Sequence, residues 1–170
     1  MMIAYPCHPP FFTEQATAAA RRDYFGGTAV QDILVSLIQG SEPVFAEGTE
    51  LCRAIFDPVD KAHSVTPEQF ALLEPAMSEL IVATAACWMK AAQDAAIEHG
   101  VPREAAEAFM AGHAQIAMAI AFGYEKSPFS DAAQIAVRWG TQKFINPGWK
   151  QVFESGLLLE AIREMIHPAA

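Results

Sequence analysis

At Thr66 the chain carries a helix start that leaves little freedom to the residues after it. Thr66-Pro67-Glu68-Gln69 places a capping hydroxyl, a proline at the first helical position and a Gln that closes a capping box. A long helix is predicted from there to about His99, with Gly100 as its left-handed terminator. Pro75 removes one backbone bond inside it and is expected to bend it. Further helix starts stand at Pro102, for a helix ending at Gly123, at Ser130-Asp131 and at Asn146-Pro147. The last of these carries Trp149, Val152, Phe153, Leu159, Ile162 and Ile166 on or near one stripe. Four helices close the chain.

Before residue 65 the pattern differs. Short apolar runs at 2–5 and 33–38 stop at Pro6 and Gly40, which fits buried strands better than helices. A helix is predicted over 45–56, and 59–65 alternates weakly, as a third strand does. The expected fold is mainly α: one domain of 170 residues, with a short α/β part over 1–65 and a helical region over 66–170.

Eleven Lys plus Arg against 20 Asp plus Glu give a net charge of −9, which argues against nucleic acid or an anionic membrane as partner. The uncharged stretch 108–124 holds His113, Gln115 and two glycines, so it reads as a buried helix rather than a span. No basic, apolar leader stands at Met1, so the cytoplasm is expected. Cys7, Cys52 and Cys87 have no C-x-x-C spacing and read as reduced thiols. Residues 80–89 are apolar all round. Either the chain wraps this stretch itself, or a homodimer covers it through helices of about 66–123.

Chemistry rests on single residues, because the common cradles are missing. The sequence contains no G-x-G triplet, no G-x-x-x-x-G-K-[ST] loop, no G-x-S-x-G elbow and no H-E-x-x-H pair. The chain alone is therefore not expected to hold a dinucleotide. His8, in Pro6-Cys7-His8-Pro9-Pro10, follows the first strand, where open α/β sheets bind ligands, and is a candidate donor; the plain alternative is a rigid turn with a solvated histidine. Glu74, beside the helix-bending Pro75, is either an exposed helix carboxylate or one held for use. His113 shares a stripe with Phe109, Ala117 and Ile120, and Gly112 beside it would let a backbone or ligand come close. It is either a satisfied core histidine or an acid, base or metal ligand. Glu74 and His113 are expected to approach one cleft.

The order of these cues carries a resemblance. His8-Pro9-Pro10-Phe11-Phe12, Gly26-Gly27, Asp32-Ile33-Leu34-Val35-Ser36-Leu37-Ile38-Gln39-Gly40, Leu72-Leu73-Glu74-Pro75-Ala76, Gly112-His113, Phe144 and Trp149-Lys150-Gln151-Val152-Phe153 succeed one another over nearly the whole chain. In this the chain resembles the C-terminal domain of 6-phosphogluconate-dehydrogenase-like oxidoreductases, D-apionate oxidoisomerases among them. The resemblance implies that the first strands continue the sheet of a Rossmann domain, which in full-length members precedes this region and binds NAD or NADP. It also implies that the helices form a dimer interface and the substrate side of a cleft for a small sugar acid. His113 or His8 would move the proton there, and Glu74 would orient the substrate or, with His113, a divalent metal. Decarboxylating members have a lysine three residues after the Gly-His pair and an asparagine four further on; Ile116 and Ile120 stand here, which rules out a lysine acid/base at that place. The expected function is the substrate-binding and dimerisation domain of an NAD(P)-dependent sugar-acid oxidoreductase or oxidoisomerase, inactive alone. The alternative is a non-catalytic dimeric interaction or small-acid-binding module.

Overall fold

The computed structural model describes residues 1–10, 13 and 16–167, the side chain of Ser155 apart. Phe11 and Phe12 of the motif that begins at His8 lie outside the described residues. The chain divides into two compact units, Met1–Ala71 and Leu72–Ala170.

In the first unit, strands β1 (Met2–Pro6), β2 (Gln31–Leu37) and β3 (Val59–Ser64) form a three-stranded sheet in that order, and helix α1 (Glu42–Ile55) lies on it. The mainly helical architecture with a short α/β beginning is the one expected. β1 pairs antiparallel with β2, and β2 pairs parallel with β3. Strand alternation divides β2 between two environments. Ile33 and Val35 are fully buried and form the core with Phe45 of α1, joined by Met2, Ala4, Leu37, Cys52, Phe56, Val59 and Ala62. At Gly48 a Cβ would meet the Met2 sulfur at 2.4 Å, so any larger residue there would have to displace the Met2 side chain where α1 crosses β1. Asp32, Leu34 and Ser36 point to the other face, which Tyr5 and His63 share through their pairing with Leu34.

The predicted capping box is formed: Thr66 N–H donates to Gln69 Oε1 at 2.9 Å, and Gln69 N–H to Thr66 Oγ1 at 3.2 Å. It starts a continuous helical run, Pro67–Glu98. The run begins as α2 (Pro67–Ala71), widens to a π-helix over Leu72–Ala83 and returns to α-helix in α3 (Thr84–Glu98). The π-turns are the response to Pro75, whose ring clashes with the carbonyl four residues earlier in an α-helix; widening relieves the clash. Gly100, at φ 96°, ends the run as expected, with Val101 N–H on Ala96 O.

The second unit continues with α4 (Arg103–Ala121), α5 (Asp131–Phe144), a 3-10 turn at Trp149–Phe153 and α6 (Ser155–Ile166). The helix expected from Asn146-Pro147 starts later. Asn146 Oδ1 captures the Gly148 N–H at 2.8 Å, and Glu154 adopts extended backbone, so 3-10 geometry and then a break precede α6. The π-helical stretch packs on the Trp149–Phe153 turn and on α6, and α4 packs on α3.

Residues 80–89 are not wrapped: Val82 is 60% and Trp88 52% exposed, and no residue of α3 or α5 is buried. Pro67–Glu98 is also long and apolar enough to cross a membrane by length and composition, a test that helices of soluble proteins pass too.

Candidate functional site

The chain leaves β1 at Pro6, and the Cys7 N–H donates to the Asp32 carbonyl at 2.8 Å. His8, the next residue, is the one non-glycine at positive φ, 61°, among the described residues. That conformation is costly for a residue with a side chain, and more so ahead of Pro9, which is buried. The imidazole meets Tyr5 edge to face at 6.2 Å between centroids and Phe25 at 5.9 Å; Tyr5 meets Phe70 at 6.4 Å. His8 Nδ1 is buried without a hydrogen-bond partner. Strained backbone and an orphaned buried nitrogen in an aromatic enclosure are features that a fold keeps at a working position.

Phe25 comes from a loop organised by one carboxylate. Asp23 accepts the N–H groups of Gly26 (3.1 Å), Gly27 (2.8 Å), Thr28 (2.7 Å) and Ala29 (2.9 Å), and the Thr28 hydroxyl at 3.0 Å. The backbone bonds, led by Ala29, hold the Asp23 carboxyl far below the usual carboxylate range. Gly26 has φ 78°, and a Cβ there would meet the Gln31 amide at 2.2 Å. Gln31 is itself buried and donates to Phe56 O at 3.2 Å. Converging N–H groups of this kind can cradle a phosphate, but Asp23 fills these. The loop therefore does not fit a nucleotide pyrophosphate.

Asp32, whose carbonyl holds the Cys7 N–H, ties β2 to β3. Between Gln31–Val59 and Ile33–Ala62 the register slips, so β3 carries one extra residue. Asp32 Oδ1 accepts the Lys61 N–H at 3.1 Å within that bulge, and Oδ2 lies 2.7 Å from His63 Nε2, with both side chains partly exposed. Partial burial, and secondarily the charge of Asp32, pushes the Cys7 thiol up, which makes Cys7 a weak nucleophile at neutral pH.

Asp23 had a local signal, an acid three residues before Gly26-Gly27-Thr28. Tyr5, Phe25, Asp32 and His63 had none, since strand pairing and loop return bring them together.

The structure does not bring Glu74 and His113 together within one chain. Glu74 lies half-buried in the π-helical stretch, which packs on the Trp149–Phe153 turn and α6, whereas His113 is exposed on α4, which packs on α3. The His113 ring stacks on Phe109 at 3.8 Å, with Nδ1 2.9 Å from the Phe109 carbonyl. A Cβ on Gly112 would meet nothing within 4 Å, so the close approach expected there is not made within the chain. Among the described residues no group of three or more His, Cys, Asp or Glu is placed to hold a metal ion.

Residues 13–166 match the model of the phosphogluconate dehydrogenase (decarboxylating) C-terminal family, and the chain belongs to that family. It is 38% identical over 169 residues to a D-apionate oxidoisomerase of Blautia hydrogenotrophica, covering 98% of this chain and 59% of the relative. It is 39% identical over 164 residues to a D-apionate oxidoisomerase of Cupriavidus necator, covering 96% and 59%. Among solved structures, it is similar to a semialdehyde dehydrogenase NAD-binding protein from Cupriavidus necator in complex with calcium and NAD. That likeness has a TM-score of 0.90 and 39% identity over 95% of this chain and 59% of the other. The chain spans about three fifths of the length of these relatives.

Proposed function

We propose that the chain is the substrate-binding and dimerisation part of an NAD(P)-dependent sugar-acid oxidoreductase or oxidoisomerase of the cytoplasm, catalytic only together with a nucleotide-binding domain. The observation that carries this is the 37–39% identity to D-apionate oxidoisomerases along 96–98% of the chain. The nucleotide, held by that other domain, supplies the hydride chemistry. In this proposal His8 has first place among the chain's own residues. Its strained backbone and Tyr5–Phe25 enclosure aim it at the substrate, where it hydrogen-bonds a hydroxyl and handles that hydroxyl's proton. His113 and Glu74 keep secondary roles, His113 on the open face of α4 and Glu74 as a substrate-orienting carboxylate.

A chimera tests the proposal: this chain replaces the matching segment of the Cupriavidus necator D-apionate oxidoisomerase, and turnover of D-apionate is followed. Retained turnover, with His8→Ala lowering it at least about a hundredfold, is expected. A folded, NAD-binding chimera that turns over neither D-apionate nor another small sugar acid would overturn the proposal.

A further inference from the structure

Phe25 is 80% exposed, so its ring contributes little to the core, yet it sits edge to face against His8. The loop that carries it is built more rigidly than an exposed loop requires. One carboxylate takes five hydrogen bonds, Gly26 is in the left-handed region, and the buried Gln31 leaves no room for any side chain at Gly26. A rigid loop that presents a large apolar ring to solvent beside a strained histidine is placing that ring for a ligand.

We propose that Phe25 is a specificity-determining wall beside His8 in the Tyr5–His8–Phe25 cluster, and that Asp23 is the positioning residue that holds it there. The proposal rests on the reading of this cluster as part of the substrate site. Small sugar acids carry a C–H edge beside their hydroxyl and carboxylate groups. The ring covers that edge while the imidazole takes a hydroxyl, which favours a substrate that presents both over a plain hydroxyl or a plain acid. Asp23 touches no substrate and acts through Phe25.

Two measurements separate this from the broader reading. In the full chain, NMR of the His8 ring protons reports the nearby aromatic rings. Phe25→Ala and Asp23→Ala should both move these resonances, and by similar amounts, whereas Asp23→Asn should move them less. Most of the bonds go to Oδ2, which an Asn oxygen can replace, so the amide loses chiefly the Gly26 contact. In the active chimera, Phe25→Ala should raise KM for D-apionate about tenfold with a smaller change in kcat, and Asp23→Ala should behave alike.

An unchanged KM in Phe25→Ala, or Asp23→Ala leaving the His8 resonances in place, would overturn the proposal even while the chimera turns over substrate. An inactive chimera would instead count against the broader function, and the NMR comparison would still decide whether Asp23 holds Phe25 on His8. Should Asp23→Ala fail to fold, Phe25→Ala alone decides, because that exposed ring takes no part in the loop's hydrogen bonds.

Discussion

The first 71 residues close a core around Ile33, Val35 and Phe45, whereas the helices from Leu72 onward bury only Ala76, Ala106, Val152 and Leu158 among their described apolar side chains. In the second unit Trp88, Phe109, Trp139 and Phe144 are each more than half exposed, and the rings of Trp88 and Trp139 lie 6.1 and 5.5 Å from that of Phe144. The difference comes from periodicity. β2 alternates, so one apolar face finds α1 and the other can carry polar chemistry; a helix apolar all round has no polar face to turn outward. A unit made of such helices leaves apolar side chains uncovered among the described residues. In the proposed function a second copy covers them.

The largest expected effect lies in the first unit. Phe45→Ala removes the buried side chain that α1 places in the core and should cost about 3–5 kcal/mol in chemical denaturation. A loss below about 1 kcal/mol would mean that the sheet and α1 are not the stable part. Thr66→Ala removes one half of the capping box and should cost about 1 kcal/mol, and a double variant with Gln69→Ala should cost less than the sum of the two single losses, since the two bonds are reciprocal. Gly112→Ala should stabilise an isolated chain by about 0.8–1.0 kcal/mol, because the methyl meets open space and alanine favours helix. If a second copy packs against Gly112, the same change should weaken association, and that sign reversal would place the interface on α4.

The smallest effect concerns pH. Asp23 titrates below its ordinary value of 3.8, so its support of the loop is fully present above that value and is lost only as pH falls through the lower folded-state value. The amide chemical shifts of Gly27, Thr28 and Ala29, which report the bonds to Asp23, should therefore persist unchanged from neutral pH to about pH 4, as monitored by NMR. A loss of those shifts near pH 5 would contradict the hydrogen bonding assigned to Asp23.

Much of this molecule was legible in the sequence where local chemistry decides the outcome. The capping box at Thr66, the terminator at Gly100, the start at Ser130 and the strand expected over 33–38, observed as Gln31–Leu37, each depend on neighbours within a few residues. Two local expectations differed in form. Pro75 is absorbed by π-turns instead of a simple bend, and Asn146 spends its side chain on Gly148, which delays the last helix. Of the candidate site, the sequence announced only the fixed conformation of His8, through its flanking prolines. Asp32 and His63 are 31 positions apart, and strand pairing alone makes them partners. Likewise Phe25 meets His8 across 17 positions, in a loop whose N–H groups Asp23 holds.

The contrast between a closed first unit and an uncovered second one is tested most directly by the mass of the chain in solution. Sedimentation equilibrium at low micromolar concentration should return about twice the 18.4 kDa of one chain. A cross-link placed at Trp88→Cys, in a background with the native cysteines replaced, should join the copies, as an interface burying about 2,000 Å² or more would require. A monomer that persists at these concentrations, or a dimer that no position on α3 or α4 can cross-link, would contradict the account.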